Sequence, residues 1–322
     1  MPNFLSLFFI LFLTACSSYV QEPEISWSHS TKISDGYFYT YDGTRLPLKS
    51  WGHQKHPYIM IALHGFNDYS NFIEDSAKTF AQHGIQTFAI DQRGFGQTNT
   101  RGYWSSTESM IKDVYALLKE LHKQYPNRPI YLFGESMGGA VALLTSTTFQ
   151  DAPVSGLILS APAVWGWATM PWYQRWALSF AHYTFPWMTF TGKGLNIKPS
   201  DNIPMLIKLG KDANMIRATR VDAMYGLTQL MGSALEHSHH IRVPTLILYG
   251  EKDEIIPKEP TSMMIQRLPK DTDITLALYE NGYHMLLRDL QGKVVLRDIL
   301  AWINEQPLPS GASQRSIEKL LN

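Results

Sequence analysis

Apolar residues fall in short blocks separated by segments of longer period. Tyr58–Leu63 is almost continuously apolar, the pattern of a strand buried on both faces in a parallel sheet. Gln86–Ile90, Ile130–Phe133, Val154–Ser160, Thr245–Tyr249 and Ile274–Tyr279 share that character. Between them, Asp68–His83 reads as a helix stopped by Gly84. Glu108–Gln124 carries Ile111, Val114, Leu118 and Leu121 at helical spacing, and Pro126 ends it. Gly139–Thr147 and Val294–Asn304 are further helical runs, while Gly36–Tyr41 and Leu46–Trp51 flank Asp42-Gly43, a tight-hairpin signature. Alternating strand and helix patterns predict an α/β protein with a doubly wound, mostly parallel sheet.

The rhythm breaks between Ala163 and His240. This stretch holds five of the nine tryptophans and six of the thirteen methionines with no strand pattern, which predicts a helical insertion, residues 163–240, in a core of residues 34–162 and 241–306. Its composition suits either an adaptable apolar pocket wall or an ordinary helical core. Ser17–Ile33 is polar and reads as a tether, and residues 307–322 as a loose tail in which Ser316–Asn322 forms at most one weak turn.

The N-terminus changes the picture. Phe4–Leu13 is a ten-residue apolar block, too short to span a bilayer but of signal-peptide length. It runs into Leu13-Thr14-Ala15-Cys16, which resembles the lipobox of bacterial lipoproteins, although no Lys or Arg precedes it. The resemblance implies a signal peptide over residues 1–16, diacylation of Cys16, membrane attachment in the bacterial envelope and, from Ser17, delivery to the outer membrane and its periplasmic face. Cys16 is the sole cysteine, so no intrachain disulfide can form. The 322 residues, 44% of them apolar, can fill one large core, and 28 basic residues balance 28 acidic ones without a basic run, so nothing points to nucleic acid.

Gly134-Glu135-Ser136-Met137-Gly138 lies where an apolar strand pattern gives way to a helical one. A serine on so sharp a turn is crowded, and glycines two before and two after relieve the crowding. A serine hydroxyl needs a base to attack at neutral pH. His284 is placed for this, in a loop just after the last predicted strand, and Asp253, after Thr245–Tyr249, is placed to orient it, with Glu251 and Glu254 as alternatives. The backbone amides of Met137 and Phe66 are the candidate oxyanion donors, Phe66 lying in the loop His64-Gly65-Phe66-Asn67, which His64 is expected to brace.

Leu63-His64-Gly65, Asp91-Gln92-Arg93-Gly94-Phe95-Gly96, Gly134-Glu135-Ser136-Met137-Gly138-Gly139, Gly250–Asp253 and Tyr283-His284 together resemble the α/β-hydrolases of the monoacylglycerol lipase and lysophospholipase group. The resemblance covers roughly residues 36–305 and implies the α/β-hydrolase fold, the Ser136-His284-Asp253 triad and a cap between the sixth and seventh strands. Phe95 stands where the group usually has histidine. The expected activity is serine carboxylester hydrolysis of monoacylglycerol- or lysophospholipid-like lipids. Amide or peptide cleavage is a second possibility that would need the cap acids Asp201, Asp212, Asp222 and Glu236 to hold an amine; a non-catalytic lipid-anchored binding protein is a third. No cofactor is implied, and His237-Ser238-His239-His240 lacks the accompanying carboxylates or cysteine of a metal site.

Overall fold

A computed structural model describes residues 29–194 and 196–314. Cys16 with its lipobox, most of the polar tether and Ser316–Asn322 lie outside the described residues.

The described residues begin with three short strands, β1 (Lys32–Ser34), β2 (Tyr37–Tyr39) and β3 (Arg45–Trp51), paired antiparallel in sequence. Asp35 and Gly36, both at positive φ, make the first turn. The alternating core follows as β4 (Tyr58–Leu63), α1 (Glu74–Gln82), β5 (Ile85–Ile90), α2 (Thr107–Gln124), β6 (Ile130–Glu135), α3 (Met137–Thr148) and β7 (Gly156–Ser160). The inserted segment contributes α4 (Trp172–Thr184), β8 (Thr189–Thr191), α5 (Ile203–Lys211), β9 (Ala218–Arg220) and α6 (Val221–His237). The core then resumes with β10 (Thr245–Gly250), α7 (Lys258–Arg267), β11 (Ile274–Tyr279) and α8 (Gly292–Ile303). Nine strands form one sheet in the order β1-β2-β3-β5-β4-β6-β7-β10-β11, parallel from β5 through β11.

Strand alternation explains why the central strands are apolar on both faces. Ile59, Ile61, Leu63, Leu132 and Leu157 face one core with α2 and α3, whereas Met60, Ala62, Phe133 and Ile158 face a second core with α1 and α8. Each buried Ile, Leu, Met or Phe among them contributes about 1.5–3 kcal/mol by leaving water. Residues at the strands' carboxyl ends emerge between the two helical layers, the place where such sheets carry ligands and chemistry.

The structure corrects several expectations. Lys32 and Ile33, read as tether, belong to β1, which adds an antiparallel edge that the polar sequence did not signal. The helix expected from Asp68 begins as a 3-10 turn at Ser70–Ile73 before α1. The cap, expected to be helical, includes the antiparallel ribbon β8–β9, held by backbone pairing rather than buried side chains, since β8 is fully exposed. Tail residues Leu308 and Ala312 are buried, and the Ser310 amide donates to Asp298 at 3.0 Å. Among the described residues no helix is long and apolar enough to cross a membrane.

Candidate active site

Three loops at the carboxyl end of the sheet carry Ser136, His284 and Asp253, and Ser136 and His284 line one cavity. The first is the turn from β6 into α3, where Ser136 holds φ +54° and ψ −118°, a conformation that costs an L-residue on the order of 1–3 kcal/mol and persists only when its surroundings enforce it. Two backbone bonds do so: the Ser136 amide donates to Ser160 O at 2.9 Å and the Ala163 amide donates to Ser136 O at 2.9 Å. The flanking glycines are sterically required. A Cβ on Gly134 would lie 2.2 Å from Gly138 O, and one on Gly138 would lie 2.2 Å from Leu63 O.

The second loop follows β11 and carries His284; the third follows β10 and carries Asp253. They approach so closely that a Cβ on Gly250 would lie 2.4 Å from Gly282 O. His284 Nδ1 is 2.8 Å from Asp253 Oδ2, while Asp253 Oδ1 accepts the amides of Ile255 at 2.8 Å and Ile256 at 3.0 Å. Those two amides lock the carboxylate, and the carboxylate fixes the imidazole with Nδ1 as donor, leaving Nε2 as the basic atom. Burial disfavours the charged imidazolium, but Asp253 and the more distant Glu135 outweigh it, so the pKa of His284 is raised above the ordinary imidazole value. Of the alternatives to Asp253, Glu254 accepts the Lys198 amide at 2.7 Å and so serves the cap, and Glu251 has its amide bonded to Tyr279 O.

Met137 is the first residue of α3, so its amide is among those a helix leaves without an internal partner. Phe66 sits in the tight turn closed by the Asp68 amide on Gly65 O at 3.2 Å, with Asn67 at φ +65°. His64 braces this turn as expected: Nδ1 bonds Gly65 O at 2.8 Å and Nε2 accepts the Gln92 amide at 3.0 Å. Full burial lowers its pKa, which keeps the ring neutral in that bracing role. Phe95 packs edge-on to both His64, at 5.5 Å between centroids, and Phe66, at 5.6 Å, so an aromatic ring supports the loop where the group usually places histidine.

Ser136, His284, Gly65 and Phe66 line a cavity of about 690 Å³ whose far wall is built from the cap. Ala177, Leu178 and Ala181 face it from α4, and Met224, Leu227 and Met231 from α6. The two helices are joined by His182 stacked on Tyr225, with centroids 3.9 Å apart. Four of the six inserted methionines line this wall: Met170, Met215, Met224 and Met231. Three charged side chains at the cavity were not singled out in the sequence: Asp68, Glu135 and Arg288. Adjacency to the motifs was the available signal, since Glu135 precedes Ser136 and Arg288 follows His284 by one helical turn's worth of residues.

The remaining candidates fall elsewhere. His237 and His239 turn Nδ1 onto the carbonyls of Ser233 and Glu236 at the end of α6, and among the described residues no three His, Cys, Asp or Glu converge as metal ligands. Three cap acids are engaged with protein groups: Asp201 with the Leu290 amide, Asp212 with Tyr69 and Asp222 with Arg220.

The Hydrolase_4 family, described as serine aminopeptidase S33, matches residues 54–291. Human monoglyceride lipase is 25% identical over 284 residues, covering 84% of this chain and 91% of the relative. An uncharacterized abhydrolase domain-containing protein of Dictyostelium discoideum is 24% identical over 282 residues; these span 83% of this chain and 28% of that longer protein. The crystal structure of Paleococcus ferrophilus monoacylglycerol lipase superposes with a TM-score of 0.70 at 22% identity, covering 81% of this chain and 98% of the other. The chain therefore belongs to the Hydrolase_4 family and has the α/β-hydrolase fold.

Proposed function

We propose that the protein cleaves acyl esters of monoacylglycerol or lysophospholipid type through an acyl-enzyme. Ser136 Oγ attacks the ester carbonyl while His284 Nε2 accepts its proton. The amides of Phe66 and Met137 stabilise the oxyanion, and Asp253 stabilises the imidazolium. As the tetrahedral intermediate collapses, His284 returns the proton to the leaving alkoxide. Water, activated by the same imidazole, then hydrolyses the acyl-serine and frees the acid and the enzyme. The observation that carries this reading is the carboxylate-held imidazole and the strained serine opening onto one methionine-walled cavity.

The acyl-chain assignment rests on that wall, because methionine and alanine side chains accept a flexible alkyl chain and offer it no hydrogen bonds. The outer face of the cap fits a lipid environment too. Trp172, Tyr173, Trp176, Phe180 and Tyr183 on α4 are between 57% and 73% exposed. No Asp or Glu occurs from residue 152 to residue 200, while Arg175, Lys193 and Lys198 do. A diacylated Cys16 would hold this face near a membrane of the bacterial envelope. The amide-cleaving alternative loses support because Asp201, Asp212 and Asp222 are spent on protein contacts.

The test is hydrolysis of 4-nitrophenyl esters from acetate to decanoate beside monoacylglycerol, lysophospholipid and aminoacyl anilide. Rates should rise with acyl length and fall by roughly 10³-fold or more in Ser136→Ala. Undiminished activity in that variant, or a preference for the anilide, overturns the reading.

A further inference from the structure

We propose that Arg288 is a positioning residue of the catalytic site, one guanidinium that fastens the His284 loop to the nucleophile turn through Glu135 and to the oxyanion turn through Asp68. The proposal rests on the assignment of Ser136 and His284 as the reacting pair.

Chain positions carry the first part of the argument. Glu135 immediately precedes Ser136, Asp68 lies two residues after Phe66, and Arg288 lies four residues after His284. The nucleophile, oxyanion and histidine loops thus each contribute one charged side chain beside the working group. Arg288 Nη1 donates to Asp68 Oδ2 at 2.7 Å, and Nη2 donates to Glu135 Oε1. All three side chains are nearly buried, at 12% exposure for Arg288, 4% for Asp68 and 3% for Glu135. A planar guanidinium can serve two carboxylates on two loops at a fixed angle; an ammonium is a point charge and holds no such geometry.

Stability alone is a poor account of the cluster. Glu135 Oε2 and Arg288 Nε are buried without hydrogen-bond partners, and a buried ion pair so incompletely satisfied adds little to stability over apolar packing. The same residue is also fastened through its backbone, because Arg288 O accepts Asn202 Nδ2 at 2.9 Å from the cap. On its other side the loop is held by Asp289, which accepts Ser200 Oγ at 2.6 Å and the Tyr283 amide at 2.8 Å. Arg288 is therefore the point at which the histidine loop is tied inward to the nucleophile and oxyanion turns.

The electrostatics give the arrangement a signature that a simple brace lacks. The charged groups about His284 are Asp253 from the loop after β10, Glu135 at the end of β6 and Arg288 on its own loop, with Asp68 beyond Arg288. Glu135 favours the imidazolium and Arg288 opposes it. Removing the Glu135 charge should move the acid limb of the rate profile to lower pH; exchanging Arg288 for lysine, with the charge kept, should not move it down.

The experiment uses the full chain with Glu135→Gln, Asp68→Asn and Arg288→Lys. It measures kcat and KM on a 4-nitrophenyl ester, the pH dependence of labelling by a fluorophosphonate, and thermal melting. Arg288→Lys and Asp68→Asn are expected to lower kcat by roughly 10- to 100-fold, the scale of a misplacement near 1 Å, with KM within about threefold. Glu135→Gln is expected to add the downward shift of the acid limb, which NMR titration of the His284 imidazole reads without substrate. Variants that melt, turn over and titrate like the wild type overturn the proposal. So does loss of activity matched by loss of folded protein with an unmoved acid limb. A wild type that the fluorophosphonate does not label marks failure of the catalytic assignment itself, whereas a labelled wild type with unaffected variants marks failure of the Arg288 proposal alone.

Discussion

Glycine ordinarily weakens a helix by about 0.5–1 kcal/mol relative to alanine, yet Gly138, in the first turn of α3, is one that alanine cannot replace. Its missing Cβ is where Leu63 O comes to 2.2 Å, so β4 and the nucleophile turn can pack only if that atom is absent. Gly210 in α5 is the contrasting case, with nothing within 4 Å of an added Cβ. Gly138→Ala should lower labelling by a fluorophosphonate by roughly 10²-fold or more, because the serine and its oxyanion donors would shift together. Gly210→Ala should label normally and melt at the same temperature or slightly higher. Equal labelling of the two variants would show that the crowding at Gly138 relaxes without moving Ser136. At this scale the placement of Ser136, Asp253 and His284 was legible because each follows an apolar strand, at the edge where α/β sheets carry ligands. Arg288 was not, since a charged loop residue reads as solvated until the loop's path buries it between two carboxylates.

Among elements, legibility followed burial. The central strands announced themselves because both of their faces are covered, leaving few polar positions to break the run. Helix α7 was invisible because its apolar content is little more than Met263, Met264 and Ile265, with Pro260 in its first turn. Strands β8 and β9, three residues each and largely exposed, carry no apolar alternation to detect. The same contrast separates core from cap in dynamics. In α3, ten of twelve residues are buried, whereas α4 and α5 have none. Local opening is least costly where few apolar contacts are lost, so hydrogen exchange in α4 and α5 should be far faster than in α3 and β6. Because Ala177, Leu178 and Ala181 of α4 line the cavity, a long-chain alkyl fluorophosphonate bound at Ser136 should slow exchange in α4 more than in α5. Equal protection of α3 and α4 in the free protein would remove this picture of a loose wall on a rigid floor.

For the molecule as a whole, two features bear on where it works. One is the aromatic outer face of α4, where Trp172 and Trp176 are 67% and 73% exposed. Tryptophan and tyrosine favour the boundary between water and lipid, but a few interfacial side chains give reversible binding. The other is Cys16 in its lipobox-like setting, whose two acyl chains would give stable anchoring at about 0.8 kcal/mol per buried methylene. The two contributions differ enough in size to be separated. In a bacterial host that processes lipoproteins, Cys16→Ala should move the protein from the membrane to the soluble fraction after a high-salt wash. Trp172→Ser with Trp176→Ser should leave it in the membrane and instead lower turnover of vesicle-borne ester relative to a soluble short-chain ester. Membrane retention of Cys16→Ala through the wash would remove the lipid anchor from the account. Unchanged turnover of vesicle-borne ester in the double tryptophan variant would mean that the aromatic face has no part in reaching the substrate, and that the cavity is filled by ester already dispersed in water.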